Sequence, residues 1–433
     1  MKYKIFIGMR EIAGYYTNLS KGFRAKGHDV TLFDSVPHPF QYERDAETLP
    51  PLLKAYSYFA GLRSQRPKKF MMRQIVYLIA SYVSKGLFFL YSLFRYDAYI
   101  FSFGTSFFPK NFDLLILKIF RKKVICNIAH GSEARPIYIN GAYRHPDPQS
   151  SLSTQRIIQD SSRMKHKIKF IERHASLVIA APLSSQFIKG KVINSFFLGI
   201  PFSKKTTVCF KNRKTDIVRI LHSPSHPVAK GTHLIRQAIT ALRNRGYAID
   251  YVEVIGQPHD VVLKELERCD FVVDQVYSDT PMAGFATEAA FYGKPAVVGG
   301  YGWAMLKNIL PPHIFPPSQI CHPDTIEEAI EQLIANPDYC LELSKRAHEF
   351  VTAHWRAELV AENYIRLLEG NILDEWWLDP NTVVYVNGMG LSERDAQNLV
   401  AEVVRYGGAS ALQLDDKPQL KQKFLEFANI IFG

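Results

Sequence analysis

The sequence predicts an α/β protein with two doubly wound domains that face each other across a cleft, followed by a small C-terminal α/β appendage. The chain has 433 residues and is 47% hydrophobic, which is too long for one core and too apolar for disorder. Short apolar strands alternate with helical stretches in both halves, as in parallel sheets. A polar, lysine-rich segment without periodicity, residues 204–215, separates the halves as a linker does.

Residues 1–203 form the first predicted domain. The start, Met1–Gly8, predicts a strand and its turn, and no secretion signal, because no long apolar stretch follows a basic one. A helix and a second strand, Asp29–Phe33, complete a βαβ unit. Further strands of this domain are predicted at Ala98–Phe103, Lys123–Ile128 and Ser176–Ala180.

Residues 216–354 repeat the same alternation and form the second predicted domain. A helix is expected from Thr232 to Gly246. The strands are predicted at Asp216–Leu221, Tyr251–Ile255, Phe271–Asp274 and Pro295–Val298.

Residues 371–433 are expected to form the appendage, and their pattern indicates no function. Two helices are predicted, from Ser392 to Arg405 and from Pro418 to Phe432, the first with a near capping box. Two strands are predicted at Thr382–Val386 and Ala411–Leu414.

The charge is distributed unevenly along the chain. Residues 1–214 carry 35 Lys and Arg against 12 Asp and Glu, whereas residues 215–433 carry 18 against 29. A basic half favours an anionic partner such as a phospholipid surface, a lipid-linked phosphate or a nucleic acid. The alternative is a basic surface that serves solubility alone.

One stretch, Phe70–Phe94, is almost continuously aliphatic and aromatic. Its uninterrupted runs are shorter than the roughly 20 residues that a membrane-spanning helix needs. Two interpretations stay open: a helix that lies in a membrane interface, and a buried helix pair at the edge of the first sheet.

The five cysteines indicate reduced thiols, mostly in cores. They are odd in number, far apart and without CxxC spacing, which disfavours both a disulfide framework and a zinc site. They are Cys126, Cys209, Cys269, Cys321 and Cys340.

The most informative segment, Cys269–Val298, predicts a strand, a loop, a helix and another strand. A helix that begins near Gly284 would direct its free N–H groups into the cleft, where a diphosphate fits. Glu288, one turn further on, is suited to accept hydrogen bonds from a pair of ribose hydroxyls.

Two further segments follow predicted strands, and so lie at the ligand-binding edge of their sheets. Ile220–Thr232 contains Lys230, a flexible cation suited to phosphate. Asn127–Pro136 contains His130, Glu133 and Arg135. The last two are candidates to bind acceptor or sugar hydroxyls, or alternatively to pair with each other.

These segments resemble the donor-binding motifs of glycosyltransferase family 4 and its GT-B relatives. Glu288 matches the second of the two glutamates that this family places eight positions apart. The first falls on Thr280, beside the carboxylate of Asp279. Lys230 matches the lysine that holds the donor pyrophosphate, and the family's arginine falls on Ser225. His226 and His222 are candidates to substitute in part for this arginine, and the alternative is that they are plain surface residues.

The resemblance implies a fold and a set of site residues. The fold is GT-B, with two Rossmann-like domains and a closing helix, residues 355–370, that returns to the first domain. His130, Lys230 and Glu133 are the catalytic candidates. The residues expected to bind the donor are Glu288, Gly284, Lys230, Asp279, Thr280, Phe285, Gly14 and His226. Gly14 belongs to the first loop, Gly8–Tyr15, whose glycines alternatively serve turn geometry alone.

The reaction that the resemblance implies is retaining glycosyl transfer without a metal or other cofactor, in which Lys230 and the helix end at Gly284 stabilise the leaving nucleotide diphosphate. The expected partners are a nucleotide-sugar donor, a carbohydrate or lipid-linked acceptor and an anionic membrane surface. The expected pathway is surface-polysaccharide or glycolipid assembly. The expected location is the cytoplasm, with peripheral attachment to the inner face of the membrane as a further option.

Three other functions stay open. A sugar-nucleotide epimerase has the same architecture but needs acid and base residues that the sequence does not reveal. A non-catalytic nucleotide-sugar-binding protein is compatible with Thr280 and Ser225, which stand at two positions where the resembling family has charged residues. A nucleic-acid-binding protein ranks last, because the aromatic residues are not interleaved with the basic ones.

Overall fold

The computed structural model describes residues 2–35, 49–64, 71–145, 151–204, 208, 210 and 216–429. Most of the predicted linker, residues 204–215, therefore lies outside the described residues, as do Cys209 and Phe70. The cysteines Cys126 and Cys269 are buried, and Cys321 and Cys340 are half-buried.

The first half alternates strands and helices as predicted. Its order is β1 Lys4–Gly8, α1 Tyr15–Ala25, β2 Asp29–Leu32, α2 Pro51–Ser64, α3 Met71–Arg95, β3 Ala98–Ser102, α4 Asp113–Ile119, β4 Lys123–Asn127, α5 Thr154–His174, β5 Leu177–Ala180, β6 Val192–Asn194 and α6 Ser195–Leu198.

The second half does the same, with strand boundaries within a few residues of those expected. Its order is β7 Val218–His222, α7 Pro227–Lys230, α8 Thr232–Asn244, β8 Ile249–Glu253, α9 His259–Arg268, β9 Phe271–Ser278, α10 Gly284–Phe291, β10 Ala296–Gly300, α11 Trp303–Ile309, β11 Gln319–Cys321, α12 Ile326–Ala335 and α13 Pro337–His354.

The chain then returns to the first half and ends there. The remaining elements are α14 Ala357–Glu369, β12 Trp377–Leu378, α15 Glu393–Gly407 and α16 Pro418–Phe427. The predicted strands Thr382–Val386 and Ala411–Leu414 are wrong: the first is an irregular segment and the second is largely a turn of 3₁₀ helix. The last helix ends at Phe427, and its predicted end, Phe432, lies outside the described residues.

Two sheets organise these elements. The first has the order β12-β6-β5-β4-β3-β1-β2 and the second has the order β11-β10-β9-β7-β8. The described pairings are parallel, except that β12 is antiparallel to β6. Residues such as Ile5, Phe6 and Ile7 form an uninterrupted apolar run because helices cover both faces of a parallel sheet.

The appendage shares the core of the first half. Buried residues of α15 and α16 belong to the same apolar cluster as β1, β3 and β4. A buried ion pair between Lys165 of α5 and Asp416, 2.8 Å, adds a polar contact. The appendage therefore packs on the first half and shares its core.

The two halves meet where the chain crosses between them. The backbone of Phe202 pairs with the segment Trp355–Ala357, through N···O distances of 3.2 Å to Trp355 and 3.0 Å from Ala357. Gly199 has φ +88°, and a Cβ there would lie 2.1 Å from Trp355 Cδ1. Glycine at this position therefore allows the indole to close over the crossing chain.

Candidate functional site

A cavity of about 390 Å³ lies between the two halves, at the carboxyl ends of both sheets. Loops that follow β1, β4 and β5 form one wall, and loops that follow β7, β8 and β9 form the other. Open α/β sheets bind ligands at this edge, because successive loops there diverge and leave a crevice. The cavity is therefore the candidate site.

The start of α10 forms the centre of the second wall. Gly284 is its first residue, and the preceding Ala283 provides no side-chain cap, so the first N–H groups face the cavity without a side-chain acceptor. Phe285 and Thr280 also line the cavity. This arrangement suits an anion, since the helix end carries partial positive charge.

Glu288 lies one turn into α10 and lines the same cavity. Its Oε1 accepts a hydrogen bond from Nε2 of His259, at 2.7 Å, and the side chains are 15% and 16% exposed. His259 is the first residue of α9 and also lines the cavity. His259 was not among the residues predicted from the sequence, although its place after β8, at the ligand-binding edge, is a usable signal.

Lys230 ends α7 and lines the cavity. Its Nζ donates to Oδ1 of Asp274 at 2.9 Å, and Asp274 is 1% exposed. Asp274 fixes the position of the ammonium, which retains further N–H groups for an anion. Asp274, too, was not among the site residues predicted from the sequence.

The two histidines proposed as substitutes for the missing arginine have structural roles. His222 is fully buried between Val273 O and Thr232 Oγ1, and burial lowers its pKa to about 4. His226 caps α7, because its Nδ1 accepts from the Ala229 N–H at 3.2 Å. Neither lines the cavity, whereas Ser225 does.

His130 stands on the opposite wall, after β4. A hydrogen bond of 2.7 Å joins its Nε2 to the Tyr16 hydroxyl, and the rings of Tyr15 and Tyr16 pack edge-on against it. Desolvation lowers the pKa of His130 to about 3, so the ring is neutral at pH 7. A neutral imidazole held in this way can exchange hydrogen bonds with a hydroxyl without carrying charge.

The closing helix contributes to the support of this wall. Tyr364 of α14 shares a hydrogen bond with Tyr15, 3.1 Å between the hydroxyls, and accepts one from Asn127 Nδ2 at 3.0 Å. The Tyr15 hydroxyl also donates to Gly199 O at 3.2 Å. A buried polar network therefore connects the returning chain to the residues beside His130.

Arg135 and Glu133 do not pair with each other. Arg135 forms an ion pair with Asp279 across the boundary between the halves, and the two side chains are 0% and 11% exposed. Asp279 is therefore already engaged by a cation, although it lines the cavity. Burial lowers the pKa of Arg135 to about 10.

Glu133 is buried behind the cavity wall and is 2% exposed. Its Oε2 accepts from the Ser132 N–H at 2.9 Å, and its Oε1 has no hydrogen-bond partner among the described residues. Burial raises the pKa of this carboxyl to about 7. Glu133 does not line the cavity, so its predicted direct role has no geometric support here.

The first loop is organised around α1. Gly14 is the N-cap of α1 with φ 77°, which favours the turn interpretation, and it does not line the cavity, whereas Ala13 does. The carboxylate of Glu11 accepts hydrogen bonds from the backbone of Ile12, Tyr16 and Thr17 and so occupies the N-terminus of α1. This helix end is closed to an external anion.

The structure thus brings most predicted donor-site residues together. Those that line the cavity are His130, Lys230, Asp279, Thr280, Gly284, Phe285 and Glu288. Within the described part of the chain, no group of three or more His, Cys, Asp or Glu side chains is arranged to hold a metal ion.

Comparison with known proteins shows the fold. No protein-family model and no curated protein sequence matches the chain. The sucrose-phosphate synthase of Thermosynechococcus elongatus is similar in structure, with TM-score 0.52 and 14% identity over 86% of this chain and 99% of that one. Anabaena HepE in complex with UDP-glucose has TM-score 0.48 and 13% identity, over 85% and 100% of the two chains. The chain has the GT-B fold of glycosyltransferases, with two Rossmann-like domains.

Proposed function

We propose that this protein is a glycosyltransferase that takes a sugar from a nucleotide-sugar donor bound in the second wall of the cavity. One observation carries the proposal: the N-terminus of α10, Lys230 and the Glu288–His259 pair line one cavity, with His130 on the wall opposite. The N-terminus of α10 and Lys230 match the charges of a diphosphate. The Glu288–His259 pair matches the hydroxyls of a ribose, and His130 matches the hydroxyls of a sugar.

In the proposed reaction, the nucleotide diphosphate leaves as charge develops on its oxygens. The N–H groups at Gly284 and Phe285 and the ammonium of Lys230 stabilise this charge in a partly desolvated site. Glu288, oriented by His259, accepts from the ribose hydroxyls. Neutral His130 bonds a hydroxyl of the transferred sugar. Retaining, metal-independent transfer is the mechanism that the resemblance to glycosyltransferase family 4 implies.

The proposed acceptor is a carbohydrate, a glycolipid or a lipid-linked sugar in polysaccharide or glycolipid assembly. The support is electrostatic, because residues 1–214 are strongly basic and an acceptor on a lipid phosphate is anionic. We extend the proposal to a cytoplasmic location with peripheral attachment to an anionic membrane surface.

A non-catalytic nucleotide-sugar-binding protein is the second candidate. It is favoured by the ion pair between Asp279 and Arg135, which occupies the carboxylate nearest to the family's first glutamate position. Such a protein would bind donor without cleaving it.

The test is donor binding and cleavage by the purified protein with UDP-, GDP-, TDP- and ADP-sugars. We expect one donor to raise the melting temperature and to release nucleotide diphosphate. Glu288→Ala should weaken its binding about 10- to 100-fold, the value of a lost charge-assisted hydrogen bond. Glu267→Ala, on an exposed turn of α9, is the matched control.

Lys230 needs a paired design, because removing it alone leaves Asp274 as a buried, uncompensated charge. The double variant Lys230→Met/Asp274→Asn removes both charges, and Lys264→Met on the exposed face of α9 is its control. Loss of cleavage in the double variant with its fold intact supports the proposal. Donor binding without cleavage, with lipid-phosphate acceptors present, favours the binding protein, and no binding of any donor refutes both.

A further inference from the structure

The helix α3 has a continuous apolar face that no described part of the chain covers. The exposed positions recur every three or four residues, so they lie on one side of the helix. Val83 is 53% exposed and Phe94 is 84% exposed. The exposed residues are Met72, Ile75, Val76, Ile79, Tyr82, Val83, Leu87, Leu90, Tyr91 and Phe94.

The opposite side of α3 packs against α2, where the ring of Tyr77 stacks on Phe59 at 6.5 Å, and its C-terminal end is buried in the core of the first half. Phe88, Phe89 and Leu93 are buried in the core of the first half, and β3 begins three residues after α3 ends. A helix of 25 residues is about 37 Å long, whereas the five-residue strand β3 is about 17 Å long. In a doubly wound sheet a helix that precedes a strand runs antiparallel to it, so the N-terminal end of α3 is directed towards the carboxyl edge of the sheet, which is the edge that holds the cavity.

The apolar face continues onto α4. The ring of Phe89 packs against Phe108 at 5.5 Å, and Phe108 stacks on Phe112 at 4.9 Å. Phe112 begins a second group of exposed apolar side chains, completed by Leu115, Ile119 and Phe120. We name the exposed residues of α3 and this group together the apolar face.

The charged residues on the segments that carry the apolar face are basic, although one of them, Arg95, is paired with Asp29 of β2. In residues 49–64, 71–96 and 109–123 the acidic residue is Asp113, and it is fully buried, with Ser106 and the backbone of Phe107 and Phe108 as partners. The exposed or half-buried cations of these segments are Lys54, Arg63, Arg73, Lys85, Arg95, Lys110, Lys118, Arg121, Lys122 and Lys123. An apolar strip with a cationic border is complementary to a bilayer that contains anionic lipid.

Helix α3 is long and apolar enough to cross a membrane by length and composition. A crossing would require Phe88, Phe89 and Leu93 to leave the core of the first half. Lying flat buries the same exposed side chains and keeps that core intact.

We propose that the apolar face docks this protein flat on an anionic phospholipid bilayer, with the mouth of the cavity beside the lipid headgroups. The inference rests on the proposed function in one respect: it places the acceptor on a membrane lipid. Docking itself depends only on the apolar face and its cations.

The test is flotation of the full chain with vesicles of phosphatidylcholine alone and of equal parts phosphatidylcholine and phosphatidylglycerol. We expect flotation with the mixed vesicles, weakened by salt. Ile79→Gln/Val83→Gln should lower the partition coefficient at least about tenfold, because two side chains lose their apolar transfer energy. Leu373→Gln/Tyr406→Gln changes two exposed apolar residues elsewhere and should leave it unchanged.

Three results would overturn docking. The first is no flotation with either vesicle, and the second is resistance to alkaline carbonate extraction, which indicates a spanning helix. The third is a lipid-free dimer that Ile79→Gln/Val83→Gln converts to monomer, which assigns the apolar face to a second copy. Donor-induced thermal shift, measured without vesicles, keeps the two proposals apart: flotation without donor binding retains docking and refutes the transferase.

Discussion

The ion pair between Arg135 and Asp279 gives the sharpest test of how the two halves are held together. The guanidinium is fully buried and the carboxylate is 11% exposed. Nε and Nη1 of Arg135 have no hydrogen-bond partner among the described residues. Asp279 is therefore the main group that compensates the buried charge of the guanidinium. Removing one partner of such a pair leaves a buried charge and costs about 3–5 kcal/mol. Asp279→Asn is expected to lower the free energy of unfolding by that amount.

The assay is urea unfolding of four proteins: wild type, Asp279→Asn, Arg135→Met and the double variant. The double variant should lie within about 1 kcal/mol of wild type, because replacing both charges leaves neither uncompensated. Asp250→Asn is the matched control. Its partner Arg219 is partly exposed, so its loss should cost at most about 1 kcal/mol.

The reasoning is refuted if Asp279→Asn costs no more than Asp250→Asn. It is also refuted if the double variant is as unstable as the sum of the single ones, since the two residues would then act independently. Small-angle scattering gives a second measure: if the pair closes the halves, Asp279→Asn should raise the radius of gyration and the double variant should raise it as well.

Two further predictions concern one buried acid and one glycine. Burial raises the pKa of Glu133 from its ordinary value of 4.5 to about 7, so ionisation of this carboxyl destabilises the native state increasingly between about pH 4.5 and pH 7, and the effect levels off above that. Glu133→Gln should therefore raise the free energy of unfolding by up to about 3 kcal/mol at pH 8 and leave it unchanged below pH 4. Urea unfolding at the two pH values measures this difference, and equal effects at both would contradict the prediction. Gly199→Ala should cost about 1–3 kcal/mol more than Gly27→Ala, since both have positive φ but only the first methyl meets Trp355; equal costs would exclude the clash.

The sequence predicted the two sheets well because each parallel strand is a short apolar run that needs no distant partner to be recognised. It also predicted much of the cavity, since Lys230, Glu288 and His130 each follow a strand and parallel strands bring such residues to one edge. The rule is positional. It places residues at an edge but does not say which side chains meet there.

For that reason, the sequence could not predict which side chains pair with each other at the site. Arg135 and Asp279 are 144 residues apart, and His259 and Glu288 lie on different helices. The strand predictions for the appendage were wrong for a different reason. Thr382–Val386 has the β-branched composition of a strand, but strand formation needs a neighbouring strand with free hydrogen-bonding groups, and this segment instead follows an irregular path between the halves.

That path explains what the appendage does for the cavity. The segment around Met389 is bound on one side to the first half, where the Gly141 N–H donates to Met389 O at 2.7 Å, and on the other side to the second, where the Gly390 N–H donates to Tyr277 O at 2.9 Å. A Cβ on Gly141 would lie 1.9 Å from Gly390 O, so the strand-like approach requires glycine. Among the described residues, backbone hydrogen bonds thus join the halves here and at Trp355, in addition to the ion pair between Arg135 and Asp279. Any opening of the cavity that admits a donor must be compatible with these joints, which favours a small rotation about them over a wide separation of the halves.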